Sequence, residues 1–252
     1  MQKRTVLITG ATSGIGEATA NLLANNNFKL IICGRRKDRL EALKNKLATH
    51  TEVQTLSFEV RNREEVRKAF ASLREQEIKV DVLINCAGNA HGLDPIQTGD
   101  VDDWDAMLDI NVKGLLYVCH EIIPDMVKRK AGHIINIGSI AGKEVYPNGT
   151  VYCASKFAVD ALTRSMRIDL NAYNIKVTSI NPGLVETEFS LVRFKGDAEK
   201  AATVYRGYDP LKAEDIADVI LFTITRPAHV VLADITVFPT AQASSMHVKR
   251  NG

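Results

Sequence analysis

No apolar run in this sequence approaches the ~20 residues of a bilayer-spanning helix, so no membrane partner is expected. The four cysteines, Cys33, Cys86, Cys119 and Cys153, stand far apart with no CxxC. Neither a zinc knuckle nor a disulfide framework is suggested, and reduced, buried thiols are expected. An excess of one charge is also missing. The formal net charge is +2, which leaves no electrostatic footprint for nucleic acid, and the cluster Lys128, Arg129, Lys130 reads as a solvated helix end. No repeat, low-complexity tract or domain seam interrupts the chain. MQKRTVLITGATSGIG reaches its glycines before a signal-peptide core could form and has no small-residue cleavage pattern, so a cytoplasmic location is expected. What is present is an average globular composition, 45% hydrophobic and 25% charged, long enough for one large α/β domain over residues 1–252.

Short apolar, β-branched runs recur at Thr5 to Thr9, Lys29 to Cys33, Val53 to Phe58, Val80 to Asn85, His133 to Ile137, Lys176 to Ile180 and Ala233 to Phe238. Helical patterns lie between them: Lys37 to Leu47, Arg63 to Leu73, Trp104 to Arg129, Val151 to Tyr173 and Ala213 to Thr225. Strands apolar on both faces that alternate with helices predict right-handed βαβ units. The expected fold is a single doubly wound Rossmann-type domain, with a mostly parallel sheet of about seven strands flanked by helices. The least regular stretch, residues 186–209, reads as a lid over a site rather than a linker.

After the first strand, Gly10, Ala11, Thr12, Ser13, Gly14, Ile15 and Gly16 form a GxxxGxG turn that opens the next helix. Such a turn lets backbone amides approach a pyrophosphate at the positive end of the helix. The second strand ends in Gly34, Arg35, Arg36, where an NAD-binding domain would hold an acid against the ribose 2′-hydroxyl. Two guanidiniums suit a 2′-phosphate, which an acid would repel, so NADP(H) is the expected cofactor. Arg36 could instead only begin the next helix surface.

Tyr152 and Lys156 are one helical turn apart, on one face, in TVYCASKF. An ammonium near a phenol favours the phenolate and makes the tyrosine a usable acid/base. The same spacing also describes a tyrosine packed on a lysine stem. Asn85, Cys86, Ala87 and Gly88 close the fourth strand, Asn111 sits mid-helix, and Ser139 follows the fifth strand. By the carboxyl-end rule for open α/β sheets, these strand ends line one crevice with the glycine turn. Alone, Asn111 could bend its helix and Ser139 could cap a turn.

Together, TGATSGIG, NCAG, Asn111, Ser139 and the Tyr152/Lys156 pair resemble the short-chain dehydrogenase/reductase family in order and spacing, over nearly the whole chain. The resemblance implies that Tyr152 carries the hydroxyl proton while hydride passes between nicotinamide and substrate, and that Ser139 polarises the carbonyl oxygen. It implies that Lys156 holds the nicotinamide ribose as well as tuning Tyr152, and that Asn111 holds a water linking Lys156 to solvent. Pro182, Val185 and Thr187 would bind the carboxamide, and Asn85 and Ala87 would line the adenosine ribose. Two departures are Glu59-Val60 where the family usually has Asp, leaving a longer-reaching acid near the adenine, and Cys86 within NCAG, which reads as packing. A homotetramer packed through the two long helices is also implied.

EFS, VRFKGD and Pro227-Ala228-His229-Val230 are similar to a narrower branch, the NADP-dependent 3-hydroxy acid dehydrogenases that also oxidise serine and act on malonic semialdehyde. The substrate implied is a small hydroxy acid such as serine, allo-threonine or 3-hydroxypropionate, or the corresponding semialdehyde. Arg193, ahead of Lys195, is the candidate partner for its carboxylate, or else an ion pair holding the lid or a subunit contact. Tyr146 and His91 are candidate pocket walls. The alternatives are a short-chain reductase of other ketones or 3-oxoacyl thioesters and, more remotely, a non-catalytic NADP(H)-binding sensor. The sensor reading predicts a damaged Ser, Tyr or Lys, yet all three are present.

Overall fold

The computed structural model describes residues 3–251. Seven parallel strands form the central sheet in the order β3-β2-β1-β4-β5-β6-β9. They are β1 (Thr5–Ile8), β2 (Lys29–Gly34), β3 (Val53–Ser57), β4 (Val82–Asn85), β5 (Gly132–Ile137), β6 (Ile175–Pro182) and β9 (Asp234–Val237). Between β6 and β9 a separate parallel pair forms from β7 (Val185–Glu186) and β8 (Leu211–Lys212).

The alternation of side chains along a strand divides the core in two. Val6 and Ile8 of β1, Leu30 and Ile32 of β2, and Val82 and Ile84 of β4 face one layer. Leu7, Ile31 and Leu83 face the other. The first layer is closed by α1 (Gly14–Ala24), α2 (Lys37–Leu47) and α9 (Ala213–Ile224) through Leu23, Leu40, Leu43, Leu47, Ile216 and Ile220. Helices α3 (Arg63–Glu75), α5 (Leu115–Arg129) and α6 (Thr150–Leu170) close the second, while α4 (Val101–Leu108) packs through Met107 in a smaller cluster with Tyr152 and Cys153 of α6. Each aliphatic side chain buried this way stabilises the fold by roughly 1.5–3 kcal/mol before entropy is counted. With both faces covered, the central strands β1, β2 and β4 have no polar face, hence the unbroken apolar runs there.

The expected boundaries hold to within two residues except in the two long helices. The helix expected from Trp104 starts at Val101, where Asp100 caps it by accepting from the Asp102 amide at 3.0 Å. The same helix is broken by a π-helical stretch, Asp109–Gly114, before continuing as α5. At its far end, α6 stops at Leu170 and Asn171–Tyr173 tighten into a 3₁₀ turn. The lid region is more ordered than its composition suggests: β7, the short helices α7 (Phe189–Arg193) and α8 (Ala198–Thr203), and β8 follow one another.

The strand order reverses between β1 and β4, and the crevice outside their carboxyl ends is where a doubly wound sheet receives its ligand. The glycine turn after β1, NCAG after β4, Ser139 after β5 and Pro182 ending β6 all lie at that edge.

Candidate active site

The glycine turn is closed tightly enough that only glycine serves. Gly14 has φ +51°, and a Cβ on Gly16 would overlap the Gly10 carbonyl oxygen. Ser13, at the N-cap of α1, makes no capping bond to the helix amides; its hydroxyl instead accepts from Arg36 Nη2 at 3.0 Å. The first-turn amides of α1 are thus left to an anion, as a pyrophosphate requires. Thr12 is buried, Ile15 packs beneath the turn, and the Ala11 amide donates to the Cys33 carbonyl at 3.0 Å, tying the turn to β2. Thr9 was not singled out in the sequence. Its hydroxyl accepts from the amides of Cys86 and Ala87, both at 3.1 Å, and so joins the glycine turn to NCAG.

Arg35 and Arg36 stand just past β2, at the β2 side of the crevice. Arg36 Nη2 also donates to Thr12 Oγ1 at 2.9 Å, and Arg35 Nη1 lies 3.2 Å from Glu59 Oε2. Glu59 therefore meets Arg35 before any base. Val60 is buried against the π-helical stretch, its side chain directed into the core. Asn85 also differs from expectation. Strand alternation turns its side chain inward, where its amide donates to Asn136 Oδ1 at 2.9 Å, so the side chain does not line the crevice. Pro182 ends β6, Val185 opens β7, and the Thr187 side chain lies 3.2 Å from the Cβ position of Gly14. Gln242 escaped sequence reasoning. Its Oε1 accepts from the Leu184 amide at 2.8 Å and braces this segment from the C-terminal region.

Tyr152 and Lys156 are both buried in the first turns of α6. Lys156 Nζ donates to the Ile137 carbonyl at 3.0 Å and lies 6.0 Å from the centre of the Tyr152 ring. A Cβ on Gly88 would sit 3.1 Å from Asn111 Oδ1 and 3.6 Å from Lys156 Nζ, so the bare glycine lets these two groups converge. The π-helical stretch around Asn111 directs its amide at the same place; Nδ2 donates to the Asn89 carbonyl at 2.8 Å and to Ser155 Oγ at 3.0 Å, while Oδ1 accepts from the Asn89 amide at 2.9 Å. Both donors are committed and one Oδ1 lone pair remains. Ser139 Oγ accepts from the Ala141 amide at 3.1 Å. That bond uses the oxygen as acceptor and leaves the hydroxyl proton free to donate. Burial pushes the Cys86 thiol up to about 12, which leaves it an unreactive packing group.

Arg193, at the end of α7, lies against this centre. Its guanidinium lies 4.8 Å from the centre of the Tyr152 ring and 5.1 Å from that of Phe189, and Nη2 donates to Tyr146 Oη at 2.8 Å. Among the described residues it pairs with no carboxylate, and its Nε is buried without a partner. Burial, opposed by Arg193, raises the Tyr146 phenol above its ordinary value, so it remains neutral. His91 lies in the same pocket wall, its pKa lowered by burial against the pull of Asp103. Trp104, Met107 and Val151 complete the pocket beside Tyr152 and Arg193. Lys195 faces away from it, 2.9 Å from Asp103 Oδ2 and 3.3 Å from Asp100 Oδ2, and fastens the lid to the start of α4.

Among known proteins, the family model described as short chain dehydrogenase matches residues 4–197. The chain is 45% identical over 239 residues to the NADP-dependent 3-hydroxy acid dehydrogenase YdfG of Salmonella typhi, covering 94% of this chain and 96% of that protein. It is 43% identical over 241 residues to sulfoacetaldehyde reductase 2 of Chromohalobacter salexigens, covering 95% and 96%. Among solved structures, the closed form of serine dehydrogenase complexed with NADP+ superposes with a TM-score of 0.91 at 40% identity, over 98% of this chain and 100% of that one.

Proposed function

The chain belongs to the short chain dehydrogenase family, and from that premise we propose that it oxidises the 3-hydroxyl of small hydroxy acids, or reduces the matching carbonyl. It is an NADP-dependent oxidoreductase acting on hydroxyl groups. NADP(H), when bound, supplies or accepts the hydride. The chain's own residues do the rest. Tyr152 gives its proton to the substrate oxygen in reduction and takes it back in oxidation. Ser139 donates its free hydroxyl proton to the same oxygen, where negative charge grows. Lys156, held by the Ile137 carbonyl, keeps a positive charge behind Tyr152 and a donor for the nicotinamide ribose. Asn111 holds a water through its remaining lone pair beside Lys156. Arg35 and Arg36 read the 2′-phosphate.

The observation that carries the substrate assignment is the state of Arg193. A half-buried guanidinium that faces aromatic rings and a neutral phenol is short of an anion. A substrate carboxylate supplies one next to Tyr152, which a neutral ketone or an acyl thioester does not. Serine, allo-threonine and 3-hydroxypropionate place a hydroxyl on the carbon β to such a carboxylate. A sulfonate in the carboxylate's place is the second reading, favoured by the likeness to sulfoacetaldehyde reductase 2 and by the free donors of the same guanidinium. Reduction of NADP+ should be followed with the three hydroxy acids, with 2-hydroxyethanesulfonate and with a bulky neutral alcohol. Arg193→Met is expected to lower kcat/KM for the acids by about 10²-fold, the usual scale for removing one partner of a desolvated charge pair. Good turnover of the bulky alcohol with none of the acids rejects the assignment.

A further inference from the structure

Glu188 stands on the lid side of the crevice, one residue past Thr187, yet its carboxylate reaches the opposite wall. Oε1 lies 2.9 Å from Arg39 Nη1, and Oε2 lies 3.3 Å from Arg36 Nη1. Arg36 is held in place by Thr12 and Ser13 of the glycine turn. The guanidiniums at the β2 side of the crevice therefore already carry an anion, one supplied by the protein itself. The bonds from Arg39 and Arg36, Arg39 first, hold the Glu188 carboxyl below its ordinary value despite partial burial, so it is ionised at neutral pH.

We propose that Glu188 is an internal competitor for the cofactor's 2′-phosphate: it occupies Arg36 and Arg39 and yields them on binding, and so sets the degree of preference for NADP(H) over NAD(H). The inference rests on the reading that Arg35 and Arg36 bind that phosphate. Both bridges to Glu188 are partly exposed, 35% and 44% at the arginines and 45% at the acid. Pairs of this kind are weak and exchange readily. A phosphate carries up to twice the charge and three acceptor oxygens, so it displaces the carboxylate. The region can accept it. Arg35 and Arg61 pair with Glu59, and Arg36 and Arg39 with Glu188, so displacing Glu188 alone releases two guanidiniums to the phosphate. NADH brings no 2′-phosphate and leaves Glu188 where it is. The exchange also frees the cofactor end of the lid while Lys195 holds the other end to Asp100 and Asp103.

NADPH and NADH binding should be titrated by fluorescence, without substrate, on the full-length protein, Glu188→Gln and Arg36→Ala. Glu188→Gln is expected to tighten NADPH about two- to fivefold, the scale of an exposed ion pair, with NADH changed less than about 1.5-fold on the same scale. Weaker or unchanged NADPH binding, or an equal gain for NADH, overturns the proposal; weaker binding means that Glu188 orders the arginines for the phosphate instead of competing with it. Arg36→Ala separates the two claims. If that variant keeps the NADPH preference, the phosphate-reading role of Arg36 falls. If it loses the preference while Glu188→Gln has no effect, only the competitor role falls.

Discussion

Tyr152 occupies a position in which small changes are separable. Its ring packs edge-on against Phe189, centres 5.6 Å apart, and under the Arg193 guanidinium, so Tyr152→Phe keeps the packing and removes only the hydroxyl. The expected result is a fall in kcat of about 10²–10⁴-fold, the range for losing a general acid/base, with NADPH binding changed far less. Single-turnover reduction against an NADPH titration measures both, and a loss below tenfold assigns the proton to another group. Residues of this kind were legible because their chemistry is local: a tyrosine and a lysine one turn apart, and a serine after a strand. Glu188 and Arg39 were not, because they are 149 positions apart and meet only when the lid crosses the crevice. The side-chain direction of Asn85 was within reach of strand alternation, since Leu83, two residues earlier, faces the same layer.

Element boundaries follow the same division between local and distant causes. Strands buried on both faces were readable from their unbroken apolar runs, and α2 from Leu40, Leu43 and Leu47 on one stripe. The π-helical stretch was not: its one trace is the five-residue step from Ile110 to Leu115, which a continuous α-helix would place about 140° apart, and a single such step among apolar residues does not mark a widened turn. Its cause is tertiary: the Asn111 side chain bonds the Asn89 backbone and Ser155 from a widened turn. The sheet itself carries a pH-sensitive element. His133 of β5 is buried beside Thr178 of β6, with Nε2 2.9 Å from Thr178 Oγ1 and Nδ1 unpartnered. Burial, followed by the charges of Lys176 and Arg4, lowers its pKa to about 3. The unfolded chain then binds a proton near pH 6.5 that the folded chain refuses until about pH 3. Stability unaffected by this group above pH 6.5 should therefore fall as pH drops, by about 1.4 kcal/mol per unit across that window. Urea unfolding of wild type and His133→Gln from pH 7 to 4 tests it: the variant is less stable at pH 7, and the difference narrows with acid. Parallel profiles would assign the acid sensitivity to carboxylates instead.

At the scale of the whole molecule, helices α5 and α6 cover the sheet and still leave apolar side chains outside. Phe157 is 42% exposed, Ile168 78% and Leu116 38%. Single exposed aliphatics are ordinary on a protein surface. Phe157 and Ile168 differ in being eleven positions apart on one helix, which brings them within about 20° of the same face. Their stripe is turned away from the core that Val159 and Leu170 enter. That face also carries the exposed Ala161 and Arg164 between them, and with the exposed leucine of the neighbouring helix it offers apolar contacts and a charge to a two-fold contact. The family resemblance implies four chains, and we propose that they meet through this face of α5 and α6. Ile168→Glu places a charge where the isolated chain already tolerates water, so folding should be kept while the contact is lost. Light scattering coupled to size exclusion should show wild type at four chains and Ile168→Glu at two or one, with the circular dichroism spectrum unchanged. A variant that still elutes as four chains would move the contact off this face, and a monomeric wild type would remove it altogether.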